Sequence, residues 1–219
     1  MRLVLLGPPG VGKGSLASWS ARHLGLRHIS TGEIFRRQIK RRTPLGRRVQ
    51  HYVSTGGLVP DALVVQVMAA QLTPVLLRKG FVLDGFPRTR GQAAGLDREL
   101  ARRRSALDGA VLLEGPRALL IRRLSGRRVC PTCGANYHVR TMRPKRAGRC
   151  DVCATPLVIR KDDEPRTIAK RLAVDRAAAK PLIAYYARRG LLHRISAAGT
   201  VHLTFARLQR LIRAQGWGA

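Results

Sequence analysis

The chain has 219 residues, 45% of them apolar, which suffices for one well-packed core with small insertions but not for several large domains. Lys and Arg number 42 against 12 Asp and Glu, giving a net charge of +30 and a sequence pI near 11.8. Such a field draws in phosphate-bearing ligands and anionic polymers alike, so charge alone does not choose between nucleotide and nucleic acid. No run approaches the roughly 18 apolar residues of a membrane span, and no secretory leader pattern follows Met1, so no membrane partner and a cytoplasmic location are expected.

The first element is the apolar run Leu3 to Leu6, a signal for a short parallel strand covered on both faces. Gly7 to Ser15 follows as G-x-x-x-x-G-K-G-S. Glycines let this backbone curl until its N–H groups converge on phosphate oxygens, and the next helix aims its positive end at the same point. Lys13 can bridge outer phosphates, and the Ser15 hydroxyl is placed to hold magnesium. An ordinary Gly/Pro turn would be the alternative, but the strand before and the helix after, through Leu24, favour a nucleoside triphosphate site.

A short strand is expected at Arg27 to Ile29, and Ser30-Thr31-Gly32-Glu33 carries helix-start chemistry. Gly56-Gly57-Leu58-Val59-Pro60 breaks the chain, and Asp61 is expected to cap one helix over Ala62 to Leu77. Phe81 to Asp84 reads as a buried strand, Ala110 to Leu113 as another, and Pro116 to Leu124 as a helix. Helices are expected at Thr167 to Ala178 and Leu182 to Arg188, separated by a break at Pro181. Strands at Leu192 to Ile195 and Val201 to Leu203 then precede a last helix with Phe205, Leu208 and Ile212 on one stripe. Alternating β and α with the phosphate loop first specifies an α/β fold, a parallel sheet with helices on both faces and ligands beyond the carboxyl ends of the strands.

Cys130-Pro-Thr-Cys133 and Cys150-Asp-Val-Cys153 form two C-x2-C pairs, the spacing of a tetrahedral zinc site with no open position. Paired spacing and a reducing compartment weigh against disulfides. Gly134 suits the positive φ of such a turn, and Ala154 at the matching place suits it less. So few apolar residues lie between Arg127 and Lys161 that a metal is expected to hold this segment together. Of the 42 cations 35 are Arg, spread along the chain, and most of these read as a solvated face or codon bias.

GPPGVGKGS, STGEIFR (Ser30 to Arg36), LDGFPRTRGQ (Leu83 to Gln92) and GRRVC (Gly126 to Cys130) together resemble the adenylate kinases, in the subgroup with a zinc-ribbon lid. The likeness implies a P-loop NTPase-type core with a five-stranded parallel sheet, made of residues 1–29, 60–125 and 164–219. It also implies an inserted helical AMP-binding lobe at 30–59 and a zinc-binding lid at 126–163. The implied reaction is reversible transfer of the terminal phosphoryl of ATP to AMP, giving two ADP, with Mg2+ accompanying ATP and structural Zn2+ in the lid.

By the same resemblance, Gly10, Val11, Gly12, Lys13, Gly14, Ser15, Arg127, Asn136, Tyr137 and the backbone at Val201 would hold ATP, with Asn136 and Tyr137 flanking ribose and base. Thr31, Arg36, the backbone of Gly57, Leu58 and Val59, then Gly85, Phe86, Pro87, Arg88 and Gln92 would hold AMP. Thr31 and Gln92 would meet the adenine. Lys13, Arg88, Arg123, Arg127, Arg160 and Arg171 would serve catalysis, with Arg123 and Arg127 reaching the phosphoryl in flight and Arg160 and Arg171 closing over both nucleotides. Asp84 would hold magnesium through water. A monomer is expected. Two alternatives stand beside this reading: a monophosphate kinase for another base, and a basic nucleic-acid-binding protein on the same scaffold, which the 5% aromatic content disfavours.

Overall fold

The computed structural model describes residues 1–218. Its centre is a sheet of β1 (Arg2–Leu6), β2 (Arg27–Ser30), β3 (Phe81–Asp84), β4 (Gly109–Glu114) and β7 (Leu192–Ser196). The strands lie in the order β2-β3-β1-β4-β7, all parallel. Alternate residues of these strands enter opposite cores, as the pleat requires. Val4, Leu6, Phe81, Leu83, Ala110 and Leu112 pack on one face, while Leu3, Leu5, Val82, Val111 and Leu113 pack on the other.

Helices α1 (Lys13–Leu24) and α9 (Val201–Ala214) cover the second face through Leu16, Phe205, Leu208 and Ile212. The first face carries α2 (Thr31–Lys40), α3 (Pro44–Thr55), α4 (Asp61–Ala69), α5 (Pro74–Lys79), α6 (Arg90–Arg102) and α8 (Pro165–Ala187). Helix α7 (Arg117–Ser125) leads into a two-stranded antiparallel sheet of β5 (Arg127–Val129) and β6 (Asn136–His138). No helix among the described residues is long and apolar enough to cross a membrane.

Four expectations are corrected. The single helix over Ala62 to Leu77 is two helices, because Thr73 accepts from Leu76 N and Pro74 starts a new first turn. Asp61 does not cap α4 but is its first residue, and its side chain turns elsewhere. Pro181 does not break the helix: α8 runs unbroken through it, with Leu182, Tyr185 and Tyr186 buried against the core. Burial of those side chains outweighs the missing N–H. Finally, Val201 to Leu203 is no strand but the first turn of α9, since Thr200 Oγ1 accepts from Leu203 N at 3.3 Å.

Candidate active site and cysteine centre

Strand register assembles the site. Ser30 pairs with Asp84, and Asp84 with Leu5, so the segments after β1, β2 and β3 emerge side by side at the carboxyl edge. There Thr31 Oγ1 donates to Gly85 O at 2.9 Å, tying the segment after β2 to the turn after β3. The phosphate loop turns on Gly7, whose φ is 125° and where a Cβ would lie 2.5 Å from Leu113 O. No side chain fits that approach.

Lys13 Nζ donates to the carbonyls of Gly7 and, at 2.9 Å, Pro8. Burial pushes the Lys13 pKa down to about 8, against the pull of Asp175 and Asp84 and with the help of Arg88 and Arg171. Asp84 responds in the opposite sense. Burial resists its ionisation, yet His28, Lys13 and Arg88 together hold its carboxyl below the usual carboxylate range. A Cβ on Gly14 would stand 3.1 Å from Asp84 Oδ2, so this ionised oxygen lies against the phosphate loop beside Ser15. Two hard oxygen donors, a carboxylate and a hydroxyl, fit Mg2+ in kind.

A cleft opens at the carboxyl edge of the sheet, its roughly 560 Å³ of empty space including open solvent. Thr31, Arg36, Gly57, Leu58, Val59, Gly85, Arg88, Gln92 and Arg171 all line it; Phe86 and Pro87 do not, being buried beneath. A smaller cleft shares Gly56, Leu58, Arg88 and Arg171 with it and is bordered on its other side by Pro9 of the phosphate loop. Gly56, with φ 73°, lets Arg171 pass, since a Cβ there would meet its Cγ at 2.4 Å.

The arginines are held by two carboxylates that sequence reasoning missed. Asp163, its side chain 0% exposed, accepts from Arg127 Nε at 2.6 Å and Nη2 at 2.5 Å, and from Arg171 Nη1 at 2.7 Å. Asp162 Oδ2 lies 3.0 Å from the same Arg171 nitrogen. Burial, with Arg36 and Arg127 nearby, lowers Arg160 to about 9 even though Asp162 and Asp163 oppose it, and its Nη2 donates to Asn136 Oδ1. Burial also lowers Arg88, with Arg171 the next cause and Asp175 and Asp84 opposing, and lowers Arg36, where Asp162 opposes.

Two expected contacts take another form. Arg123 lies on the phosphate loop, where a Cβ on Gly12 would stand 3.6 Å from its Nη1, and its guanidinium donates to Val11 O at 2.8 Å, Ala197 O at 3.0 Å and Gly199 O at 2.8 Å. These three carbonyls take three of its five N–H groups, so it clamps the loop before α9 onto the phosphate loop with two donors left over. Val201 itself is half-buried at the start of α9. Tyr137 is buried with Cys130 and Cys150, and its hydroxyl accepts from Asp151 N at 2.7 Å. Its ring therefore fills the small lobe's interior, while Asn136 is exposed.

The four cysteines are free thiols whose sulfurs all lie within 4.8 Å of one another. A tetrahedral zinc with bonds near 2.3 Å would set its sulfurs roughly 3.8 Å apart, so the donor set is compatible with zinc. The two turns repeat one pattern. Gly134 N donates to Cys130 O at 3.0 Å, and Ala154 N to Cys150 O at 2.9 Å. Ala154 takes φ 56° where Gly134 takes 79°, so the second turn forms despite its alanine, at a cost of about 1–2 kcal/mol. The apolar filling of this lobe is only Cys130, Tyr137 and Cys150 with Ala135 and Leu157 against them. The lobe touches the 30–59 segment where Lys40 Nζ donates to Pro131 O at 2.9 Å.

A family model described as adenylate kinase matches residues 5–191. An adenylate kinase of Carboxydothermus hydrogenoformans is 44% identical over 213 residues, 97% of this chain and 100% of the relative. One from Moorella thermoacetica is 48% identical over 201 residues, covering 92% of this chain and 93% of its own. The chain belongs to the adenylate kinase family. One from Clostridium botulinum is 41% identical over 212 residues, or 97% of this chain and 98% of that one.

In an adenylate kinase both reactants are polyanions, which gives the buried carboxylates a reason to exist. Arginines packed this closely repel one another, and Asp162 and Asp163 hold Arg171, and Asp163 Arg127, by ion pairs before any phosphate arrives. K-D-D at 161–163 carried a signal, a pair of acids in an otherwise basic stretch, but no rule of spacing marks it. Helix α6 also escaped the reading, although Thr89-x-x-Gln92 has the capping-box pattern and Thr89 Oγ1 does accept from Gln92 N at 3.1 Å.

Proposed function

We propose a division of labour for the phosphoryl transfer between ATP and AMP. The 560 Å³ cleft takes AMP, with Arg36 and Arg88 on its phosphate and Thr31 and Gln92 on its base. Residues 10–15 and Lys13 cradle the ATP phosphates, and Arg127, Arg160 and Arg171 converge on the group transferred. The observation that carries this reading is a shared wall: Gly56, Leu58, Arg88 and Arg171 line both the cleft that reaches Gln92 and the smaller one that reaches Pro9 on the phosphate loop. The acceptor is a phosphate already ionised at neutral pH, so no general base is needed and the task is alignment, charge and exclusion of water.

Arginine serves this task because its planar fork grips phosphate oxygens bidentately and stays charged. Mg2+, brought with ATP and held through Asp84 and Ser15, supplies charge neutralisation on the phosphate oxygens. Four thiolates hold Zn2+ as a structural ion in the 126–163 lid. That lid and the 30–59 lobe close over the nucleotides, and Lys40 at Pro131 is a point where they meet. The protein works as a monomer in the cytoplasm. The α2–α3 hairpin also exposes Arg37, Lys40, Arg41, Arg42, Arg47 and Arg48, so loose, salt-sensitive nucleic-acid binding accompanies catalysis.

The test is a coupled assay of ATP with AMP, GMP, CMP and UMP in turn. ADP formation is expected with AMP at least tenfold above the others; equal turnover of another monophosphate would overturn the reading. A second expectation follows from Lys13. Its cationic form binds phosphate, so kcat/KM for ATP, which reports the free enzyme, falls as pH rises through about 8. A profile flat from pH 7 to 9.5 would remove Lys13 from that role.

A further inference from the structure

Gln92 is 2% exposed and borders the cleft, and its amide is not free to turn over. Nε2 donates to Asp61 Oδ1 at 2.9 Å, while Oε1 accepts from Arg88 N at 2.8 Å. A carboxylate here only accepts and a main-chain N–H only donates, so the two ends of the amide can be assigned one way. Asp61 is fixed in turn. Its Oδ2 accepts from Thr89 Oγ1 at 2.7 Å, and Thr89 Oγ1 accepts from Gln92 N at 3.1 Å, which closes a ring of donors and acceptors. Gly91 permits the approach, since a Cβ there would stand 2.4 Å from Asp61 Oδ2.

We propose that Asp61 is a positioning residue that sets the base selectivity of the monophosphate site by fixing the polarity of Gln92. The inference rests on the assignment of AMP to this cleft made above. With one N–H on Asp61 and one lone pair on Arg88 N, Gln92 keeps one N–H and one lone pair for a ligand. Adenine matches them: its N6–H donates to the oxygen and a ring nitrogen accepts from the amide. Guanine presents the reverse, an O6 acceptor and an N1–H donor, and meets Gln92 with like against like. An amide able to rotate would serve either base, and a site whose buried polar groups are left unpaired rejects the wrong one strongly.

Arg88 contributes its share through its main-chain N–H, which a change of side chain other than to proline leaves in place, so Asp61 is the adjustable half of the lock. Asp61→Ala and Asp61→Asn are compared with wild type in the full-length protein, with AMP and GMP as acceptors at saturating ATP and AMP binding followed by calorimetry. Asp61→Ala is expected to raise KM for AMP and weaken AMP binding about tenfold, and to shrink the AMP-over-GMP preference about tenfold, with kcat and KM for ATP within twofold of wild type. Asp61→Asn keeps one oxygen for Gln92 Nε2 and is expected to restore most of the preference.

Wild-type AMP affinity and preference in Asp61→Ala would overturn the proposal, leaving Asp61 as a helix-start residue. A parallel loss in kcat and KM for ATP would overturn it too, as a general structural defect. A wild-type protein with no preference for AMP would sink the underlying assignment as well. Should Asp61→Ala fail to fold, Thr89→Val removes the hydroxyl that steadies Asp61 Oδ2. A preference weakened at least threefold there supports the proposal, and an unchanged one rejects it.

Discussion

Replacing Arg88 with alanine lowers kcat/KM for AMP by about 10²–10³-fold, the expected loss when a preorganised charged donor is removed from a dry site. Thermal stability should hold steady or rise by a few degrees. Arg88 is half-buried, its charge opposed by desolvation and by Arg171, with Asp175 and Asp84 offsetting only some of this. Its Nε donates to Gly85 O at 3.0 Å, a contact that one water can replace. A residue that costs stability and supplies activity is expected where a site is shaped for a ligand absent during folding. Steady-state kinetics with varied AMP, beside a thermal melt of the same preparation, checks both halves. A variant that keeps its activity, or one that loses activity only because it unfolds, removes Arg88 from the proposed role.

Stripping the metal from the cysteine cluster has the second large effect. The lobe around Cys130, Tyr137 and Cys150 has almost no other apolar filling among the described residues, so with zinc bound as proposed its folding is expected to rest on the ion. Chelation under reducing conditions, or Cys150→Ser, is expected to split melting into two transitions, the first lying about 10 °C or more below that of the loaded protein. The sheet domain, with its two separate cores, should melt as before. Activity should fall with the first transition, because Arg127, Asn136 and Arg160 all sit on or beside the small lobe. A single unshifted melt after verified removal of metal would show that the lobe folds on its own.

The sheet was legible because its evidence is local. Leu3 to Leu6 is an apolar run that ends at Gly7, and Phe81 to Leu83 is one set between Gly80 and Asp84-Gly85; both are strands buried on two faces. Two C-x2-C pairs likewise announce a cluster, since each turn needs only its own residues. What escaped the reading depends on distant partners. Pro181 forecasts a break unless one knows that Leu182, Tyr185 and Tyr186 are anchored in the core. Tyr137 is marked by the resemblance as a nucleotide contact, and nothing local tells that its hydroxyl meets Cys150 and Asp151. Thr73-Pro74 and Thr200 were missed for another reason: their capping chemistry was visible, but an apolar stretch on either side obscured it. Arg123 shows the limit of motif reasoning, which marks a residue as important without saying where its guanidinium points.

The carboxylates among the arginines also bear on how the protein lets go. Asp163 already occupies donors of Arg127 and Arg171, so an arriving phosphate competes for nitrogens that have a resident acceptor. The grip on any anion is thereby moderated. A cavity of unopposed guanidinium groups would act as a sink, holding inorganic phosphate and spent nucleotide with equal tenacity. Resident acids turn that sink into a turnstile, so departure stays quick enough for the next pair of reactants to enter.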